Sequence, residues 1–497
     1  MKKAIIIGSG FSGLSAACFL AKEGWEVTVL EKNNLPGGRA RKMEQDGFVF
    51  DMGPSWYWMP DIFDRFFNAF GKNTSDYYTL QRLDPSYRVY FKDDKIDIPA
   101  DYEQLKNLFE QIEKGAGKNL DAFMKEAAYK YKVGMQNLVF KPGVSLTEFL
   151  DVDLLRGVLK LDVFKNMKAH VGRFFKDPKL RYIIEFPVLF LGAMPNHIPA
   201  LYSLMNYADI KLGTWYPQGG MFKIAEGMHD LAASLGVQFK WEHDVTHIQV
   251  QDGMAKQVLA THLPSGKKYE YQADVVVGAA DYHFIESTLL DKPYRSYTEN
   301  YWDKRTMAPS CLLFYVGVNK KIPGLQHHSL FFDTDFDTHG LEIYKTKSWP
   351  RDPLFYVCAP SVTDRTVAPA GKENLFFLVP VASGLAGDNE ALRKSYFDKI
   401  IKRFQQQTGH SIESDIGYYK SYGITDFITD YGAYKGNAYG LANTLNQTAI
   451  LKPALHSKKI KNLYYAGQLT VPGPGVPPSL ISGELAAREI IKDFSIT

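Results

Sequence analysis

Residues 3–32, KAIIIGSGFSGLSAACFLAKEGWEVTVLEK, constrain the fold of this 497-residue chain more than any other stretch. The apolar run at 4–7 predicts a buried parallel strand, and the pattern over 11–22 predicts a helix that stops at Gly24. A second strand is predicted over 26–31. Together the three elements predict a β-α-β unit, from which doubly wound α/β sheets are built.

Three glycines lie around the turn from the first strand into the helix, and each has its own expected task. Gly8 permits the tight turn, Gly10 lets the backbone approach a pyrophosphate, and Gly13 allows close packing of helix on strand. Glu31 ends the second strand, where its carboxylate can accept hydrogen bonds from both hydroxyls of a ribose and would repel a 2′-phosphate. The unit therefore predicts a dinucleotide site that disfavours NADP.

Length and composition narrow the class of protein. A chain of 497 residues predicts two domains, and 45% hydrophobic with 23% charged residues is typical of a globular protein rather than a disordered or polytopic membrane one. Aromatic residues reach 14%, which suggests a large apolar cavity as well as a core. A net charge of +3 without a basic aromatic groove gives no indication of nucleic-acid binding.

The cysteines and the N-terminus indicate a compartment. Cys18, Cys311 and Cys358 are far apart and form no C-x-x-C pair, so we expect neither disulfides nor a dithiol, and a reducing cytoplasm fits. The first apolar run is too short for a signal peptide, and no apolar stretch approaches the ~20 residues that span a bilayer. We expect a cytoplasmic protein that meets a membrane from one side.

Residues 33–60, NNLPGGRARKMEQDGFVFDMGPSWYWMP, depart from the course of an NAD domain, which ordinarily continues with another βα unit. Gly37 and Gly38 bring backbone close to a ligand, and Arg39 offers a planar cation suited to a phosphate or to the edge of a flavin ring. The short strand and Gly-Pro corner of FVFDMGPSW then follow. This order argues against an ordinary NAD domain.

A second element lies at residues 462–491, NLYYAGQLTVPGPGVPPSLISGELAAREII. Gly467, Gly475 and four prolines, Pro472, Pro474, Pro477 and Pro478, predict a rigid loop over which a flat ring can lie. Residues 482–491 predict a helix whose N-terminal dipole would stabilise negative charge on that ring.

The segments GSGFSGLSAA, LEKNNLPGGRA, FDMGPSW and the C-terminal element together resemble the flavin-dependent amine oxidase superfamily, and within it the bacterial and fungal carotenoid desaturases of the phytoene desaturase type. Residues 241–283 are similar to the middle β segment of that family, with Val245 beside the adenine. Where many members of the superfamily carry an acid that bonds the ribityl chain, this chain has Gln468. The resemblance implies that the following residues bind FAD: Gly8, Gly10, Phe11, Ser12, Glu31, Lys32, Gly38, Arg39, Pro54, Ser55, Val245, Gly467, Gln468, Gly475, Val476 and Pro477.

The resemblance also implies an α/β fold in which a Rossmann-like FAD-binding domain carries an inserted, mixed α+β substrate domain. We expect the FAD-binding domain to comprise residues 1–79, 214–300 and 448–497. The substrate and membrane-contact domain is expected to comprise 80–213 and 301–447.

Two segments of the substrate domain are informative. Phe164, Met167, Val171 and Phe174 repeat at helical spacing among basic residues, so this helix either lies in a bilayer interface or packs on its own core with a solvated basic face. Residues 185–228 contain aromatic side chains that could line a tunnel or fill the core: Phe186, Phe190, Tyr202, Tyr207, Trp215 and Tyr216.

A metal site is not expected. The sequence HDVTH imitates a metalloprotease motif, but its flanks alternate as strands, which would place His243 and His247 ~13 Å apart. His327 and His328 are adjacent and so should not face one ion in regular structure.

The function implied is desaturation of a long apolar polyene, of the phytoene or 1-hydroxycarotenoid type, by hydride transfer to FAD on a peripherally membrane-bound protein. No catalytic residue is assigned: Glu148 lies where an acid or base role has been proposed in the family, but Asp151 replaces a basic partner found in some relatives. The alternatives are an FAD-dependent carotene cis/trans isomerase and a flavin-free prenyl-binding chaperone, against which Glu31, Arg39 and the C-terminal motif argue. The particular carotenoid, the number of desaturations, the electron acceptor and the oligomeric state stay open.

Overall fold

The computed structural model describes residues 1–143 and 165–495. Glu148 and Asp151, for which a catalytic role was considered, lie outside the described residues, as does Phe164. Of the side chain of Phe190 nothing is described.

A five-stranded parallel sheet forms the first half of the architecture. Across the sheet the strands are Leu463–Tyr465, Val275–Gly278, Lys3–Ile7, Glu26–Leu30 and Gln238–Lys240. The predicted first strand lies at its centre, in register with Val275–Gly278 on one side and Glu26–Leu30 on the other. Because all five strands run parallel, their carboxyl ends meet at one edge, where an open α/β sheet binds its ligand.

Helices cover this sheet. The helix Phe11–Lys22 follows the glycine turn as predicted and is crossed by the C-terminal helix Val476–Ser495. A Cβ on Gly483 would lie 2.1 Å from the carbonyl oxygen of Ser12, so only glycine permits this approach of the two backbones. Helix Phe222–Ser234 packs on the same first helix, and the Cys18 thiol points to the carbonyl of Met228.

A seven-stranded sheet forms the second half. In spatial order its strands are Ile416–Tyr422, Ser310–Val318, Glu373–Val381, Phe355–Cys358, His328–Phe332, Tyr87–Phe91 and Lys95–Ile98. Neighbours are antiparallel except His328–Phe332 and Tyr87–Phe91, which pair parallel. One face packs on helix Glu390–Thr408 through residues such as Phe331 and Phe377, and alternate residues such as Leu330 and Leu378 face the opposite side.

The other elements connect or flank these two sheets. A third, antiparallel sheet consists of His243–Gln251, Met254–His262 and Lys268–Gln272. Two-stranded ribbons pair Lys42–Gln45 with Phe48–Asp51 and Leu80–Arg82 with Trp215–Pro217. Among residues 1–143 and 165–495, the remaining α-helices are Pro60–Asn68, Tyr102–Ile112, Ala116–Val133, Met167–Val171, Pro178–Glu185, Leu204–Asn206, Tyr282–Phe284, Glu299–Asp303, Phe336–Leu341 and Ile424–Tyr431.

The predicted α/β class, with a Rossmann-like sheet and a mixed second region, is confirmed. The residue ranges given for the two domains stay a prediction. Strand Leu80–Arg82 pairs with Trp215–Pro217, so one ribbon joins residues that were predicted to lie in different domains.

The predicted basic amphipathic helix is only five residues long in the described chain, Met167–Val171. Asn166 caps its start and accepts a hydrogen bond from the Ala169 amide. Met167 and Val171 are fully buried, and Phe174 packs edge-on against Phe123. The structure therefore favours the core-packing alternative for this face.

The three cysteines are free and buried. Among the described residues no helix combines the length and apolarity that a bilayer span requires.

Candidate functional site

A cavity of about 570 Å³ extends from the carboxyl edge of the parallel sheet to the inner face of the seven-stranded sheet. One end is bordered by the glycine turn and the start of the C-terminal helix. The other end is bordered by aliphatic and aromatic side chains. This single space joins the predicted nucleotide site to an apolar chamber.

All sixteen residues predicted to bind a cofactor border this cavity, although they come from both ends and the middle of the chain. They are Gly8, Gly10, Phe11, Ser12, Glu31, Lys32, Gly38, Arg39, Pro54, Ser55, Val245, Gly467, Gln468, Gly475, Val476 and Pro477.

The glycine turn leaves backbone exposed to the cavity. A Cβ on Gly13 would lie 2.0 Å from the carbonyl oxygen of Gly8, so the helix can start this close to the strand only with glycine there. At Gly10, in contrast, no heavy atom lies within 4 Å of the Cβ position. The turn is therefore packed on its inner side and open on the side where a pyrophosphate would lie.

The carboxylate of Glu31 is buried and organised by its neighbours. One oxygen accepts from the backbone amide and hydroxyl of Ser9, at 2.8 and 2.7 Å. The other accepts from the backbone and side-chain amides of Asn33, at 2.9 and 2.7 Å. These four hydrogen bonds fix the carboxylate at the cavity wall.

Arg39 is a half-buried cation with few partners. Its Nη2 reaches the carbonyl of Asn437 at 3.4 Å, its guanidinium lies 5.1 Å from the ring centroid of Tyr431, and its Nε has no hydrogen-bond partner among the described residues. Burial lowers the pKa of Arg39, and the negative charge of Asp281 opposes that shift. The guanidinium is therefore available to an acceptor group in the cavity.

The PGGRA and DMGPSW segments support each other. A Cβ on Gly53 would lie 2.5 Å from the carbonyl oxygen of Arg39. Asp51 accepts hydrogen bonds from the backbone amides of Met221 and Phe222 at 2.7 and 2.9 Å, which holds the start of helix Phe222–Ser234. Asp51 of the DMGPSW segment therefore has a structural role, in holding the start of this helix.

The C-terminal helix starts at Val476, six residues earlier than predicted. Pro477 and Pro478 were expected in the rigid loop but lie in the first helical turn, where the missing N–H of proline leaves no helical hydrogen bond unmade. The hydroxyl of Ser482 accepts a hydrogen bond from the Gly467 amide at 2.9 Å. Gln468 donates to Oδ1 of Asn437 at 3.1 Å and faces the cavity.

The apolar end is built by residues that sequence reasoning did not single out. Their only sequence signal is the alternation of the buried strands, and the strands meet through pairings that no local pattern indicates. They include Leu313, Leu330, Phe332, Tyr356 and Leu378 from the sheet, and Trp56, Met194, Met205, His339 and Ile343 from other segments.

Of the described aromatic side chains predicted either to line a tunnel or to fill the core, Phe186 borders this cavity. Tyr202, Tyr207, Trp215 and Tyr216 do not. Tyr216 instead borders a separate cavity of about 20 Å³ and donates to Asp364 at 3.2 Å.

His339 is held neutral at the apolar end. Its Nδ1 accepts a hydrogen bond from the Leu354 amide at 3.0 Å, so its Nε2 donates to the carbonyl of Pro380 at 3.1 Å. Burial lowers the pKa of His339 to about 4. Both nitrogens are committed, and the imidazole is a fixed wall group rather than a base.

Asp281 is an acid at the cavity that sequence reasoning missed. It follows the strand Val275–Gly278, so its position at the carboxyl edge of the sheet was a usable signal. Burial raises its pKa, and the charge of Arg39 opposes the shift.

The two candidate histidine pairs behave differently. His243 and His247 lie on strand His243–Gln251, as predicted. The expectation for His327 and His328 assumed regular structure, but only His328 belongs to a strand. Their ring centroids are 4.5 Å apart, and Cys358 lies beside them.

Comparison with known proteins places this geometry in context. The family model described as flavin containing amine oxidoreductase matches residues 11–491. The carotenoid 3,4-desaturase of Haloarcula japonica is 41% identical over 496 residues, covering 99% of this chain and 98% of that protein. The zeta-carotene-forming phytoene desaturase of Myxococcus xanthus is 31% identical over 493 residues, covering 99% and 94%.

Solved structures show the same fold. An oxidoreductase from Methanosarcina mazei gives a TM-score of 0.62 at 15% identity, covering 99% of this chain and 100% of that one. Cyclohexylamine oxidase from Brevibacterium oxydans gives 0.56 at 14% identity, covering 99% of each. At these identities the likeness is one of fold alone.

Proposed function

Because the chain belongs to the flavin containing amine oxidoreductase family, we propose that it is an FAD-dependent carotenoid desaturase that introduces double bonds into a long apolar polyene. The observation that carries the proposal is the full-length similarity to the Haloarcula carotenoid 3,4-desaturase. Since the match extends through both sheets, it includes the apolar chamber as well as the nucleotide end.

The residues present fit FAD. The Cβ position of Gly10 is open toward the cavity, and the buried Nε of Arg39 lacks a partner among the described residues. The turn from Gly8 to Ser12 would hold the pyrophosphate, Glu31 the adenosine ribose, and Lys32 and Val245 the adenine end. Ring and ribityl groups would be held by Gly38, Arg39, Pro54, Ser55, Gly467, Gln468, Gly475, Val476 and Pro477.

Bound FAD would supply an acceptor for a hydride from an allylic carbon of the substrate, and loss of a proton from the adjacent carbon to solvent would complete the double bond. The protein itself would orient the substrate and keep water away from the carbons that react. Leu330, Phe332 and Leu378 form an apolar surface on the sheet side of the cavity, and Phe186 and Ile343 line other parts of its wall. These apolar side chains would exclude water from the reacting carbons. A rigid β floor also holds an extended polyene in one orientation.

We further propose peripheral attachment to a membrane beside the segment 336–347. Phe336, Ile343 and Tyr344 border the cavity, while Leu341 is 47% exposed and Lys345 and Lys347 are exposed. An apolar side chain flanked by cations next to a cavity wall suits the interface of an anionic bilayer, from which an apolar substrate can enter.

The neighbouring basic segment supports the same surface. Lys168 pairs with Asp337 at 2.8 Å and joins helix Met167–Val171 to helix Phe336–Leu341. Arg173 and Lys176, just beyond that short helix, are exposed. Their charge would add to the attraction of anionic lipid.

Expression in cells that accumulate phytoene, and separately in cells that accumulate a 1-hydroxycarotenoid, tests the function. We expect a red-shifted pigment whose mass is lower by two hydrogens for each new double bond. Flavin-loaded protein that leaves both substrates unchanged, or gives products of unchanged mass, contradicts desaturation. The second result indicates an isomerase.

A further inference from the structure

Three side chains with metal-binding atoms meet behind the cavity wall: His327, His328 and Cys358. The donor atoms that they offer lie within 4.8 Å of one another, and all three residues are buried. His328 and Cys358 are direct cross-strand neighbours in the seven-stranded sheet, and the carbonyl of His327 accepts from the Ala359 amide at 2.8 Å. The sheet, rather than a surface loop, fixes this cluster.

Hydrogen bonds determine which nitrogen of His327 carries its proton. The hydroxyl of Thr363 donates to the carbonyl of Pro360 at 3.2 Å, so its oxygen accepts from Nδ1 of His327 at 2.7 Å. The proton is on Nδ1, and Nε2 carries a lone pair.

The same reasoning applies to His328. The hydroxyl of Tyr356 donates to Oγ of Ser55 at 3.0 Å, so its oxygen accepts from Nδ1 of His328 at 2.6 Å. Nε2 of His328 therefore also carries a lone pair.

Neither Nε2 has a hydrogen-bond partner among the described residues, although both are buried. A buried acceptor without a partner is unfavourable, and each of the two histidines that lie next to Cys358 has one. Imidazoles held through Nδ1–H by an oxygen, with Nε2 bare, are oriented in the way that metal-binding histidines are.

Nearby carboxylates supply negative charge. Asp364 accepts a hydrogen bond from the hydroxyl of Tyr216 at 3.2 Å, and the ring centroid of Tyr216 lies 4.6 Å from that of His327. Asp51 borders the same small cavity as Cys358. The two acids approach the cluster from different segments, and their field favours a divalent cation.

We propose that His327, His328 and Cys358 bind one Zn²⁺ ion through the two Nε2 atoms and the thiolate. Zinc would require the side chains to rotate until each of these atoms lies ~2.0–2.3 Å from the ion. Two imidazoles and a thiolate select zinc over magnesium or calcium, and binding releases the thiol proton to solvent. Cys358 also borders the cavity of about 20 Å³, which has room for one water as fourth ligand.

Such a site would fix the wall of the substrate chamber. The His328 ring stacks on Trp56 with centroids 4.1 Å apart and planes 13° apart, and Tyr356 joins His328 to Ser55. Trp56, Tyr356 and Ser55 all border the large cavity. This proposal does not rest on the carotenoid reaction.

The test uses the flavin-loaded protein, purified from cells supplied with zinc and desalted without chelator. Elemental analysis is expected to find about one zinc per chain, and zinc K-edge absorption to find two nitrogens at ~2.0–2.1 Å and one sulfur at ~2.3 Å. Absence of zinc, or an oxygen-only coordination shell, overturns the proposal. So does a crystal structure with a water donating to both Nε2 atoms.

Variants connect the metal to the cluster. Cys358→Ser and His328→Asn are expected to lower zinc at least tenfold. Cys18→Ser and His229→Asn, which alter residues outside the cluster, are expected to retain it. If His328→Asn does not fold, as judged by circular dichroism, Cys358→Ser decides. Zinc retained in folded Cys358→Ser contradicts the assignment.

Discussion

The carboxylate of Glu31 accepts hydrogen bonds from both the backbone amide and the hydroxyl of Ser9, at 2.8 and 2.7 Å. Ser9 belongs to the glycine turn and Glu31 directly follows the neighbouring strand, so this contact sets the shape of the nucleotide end. We predict that Glu31→Gln lowers the flavin retained per chain. The amide group of glutamine would point N–H donors at the donors of Ser9 or Asn33, which weakens cofactor binding by about 1–3 kcal/mol.

The flavin content after desalting, measured by absorbance, tests this prediction. Glu26→Gln alters the opposite end of the same strand and is expected to retain flavin. Equal flavin in the two variants would show that Glu31 does not hold the cofactor.

Gly10 and Gly13 should respond differently to alanine. Gly10→Ala places its methyl in open space with φ at −70°, so we expect a folded protein that has lost flavin. Gly13→Ala drives Cβ to 2.0 Å from the Gly8 carbonyl oxygen, so we expect poor folding. Circular dichroism and flavin absorbance separate the two results, and a flavin-loaded Gly10→Ala protein contradicts the proposed pyrophosphate position.

Arg65 ties helix Pro60–Asn68 to the C-terminal helix through two hydrogen bonds to Glu484, at 2.6 and 2.8 Å. The Glu484 side chain is fully buried, but Arg488 also reaches it at 2.5 Å. We predict that Arg65→Ala lowers the free energy of unfolding by about 1–3 kcal/mol. Lys492→Ala, at an exposed pair, should change it by less than about 0.5 kcal/mol. Chemical denaturation measures both, and similar values contradict the role of Arg65.

The burial of Glu185 leads us to predict that the stability of the folded protein depends on pH. Burial raises the pKa of Glu185 to about 7, Arg181 and Lys168 oppose the shift, and one carboxylate oxygen has no hydrogen-bond partner among the described residues. The folded chain therefore binds this proton more tightly than the unfolded chain. Stability falls as pH rises from about 4.5 to about 7, by about 3 kcal/mol for this group.

Glu185→Gln should remove that part of the slope. The melting temperature of the variant relative to wild type is expected to rise between pH 5 and pH 8. Glu23→Gln, on an exposed residue, is the control. Parallel pH profiles for wild type and Glu185→Gln contradict the prediction.

Leu341→Glu tests the proposed membrane surface. Placing a carboxylate next to Lys345 and Lys347 removes an apolar contact and repels anionic lipid, so we expect flotation with anionic vesicles to fall several-fold. Leu263→Glu is a matched control, since Leu263 is 49% exposed and Leu341 is 47% exposed. Equal flotation of the two variants places the membrane contact elsewhere.

Sequence reasoning succeeded where structure is local. The strand, helix and second strand at 3–30 follow from hydrophobic period and glycine position, and the predicted helix Phe11–Lys22 has the predicted bounds. It failed at Pro477 and Pro478, because proline ends a helix in its interior but is well placed in its first turn. The prediction for His327 and His328 assumed regular strand geometry for both, which only His328 has.

The apolar chamber could not be predicted residue by residue. Leu313 and Leu378 are cross-strand partners 65 residues apart in sequence, and Leu330 pairs with Val89 from a distant part of the chain. In the sequence, each of these residues has the pattern of an ordinary core residue. Only the pairing of strands decides which face looks into the chamber and which packs on a helix.

The backbone contact between Gly483 and Ser12 has a consequence for biosynthesis. Because the first and last helices pack together and the nucleotide end needs residues from 8 to 477, no folding intermediate of the growing chain has a complete cofactor site. The proposed flavin site is therefore bordered on all sides only once the start of the C-terminal helix has been synthesised and packs on the helix Phe11–Lys22.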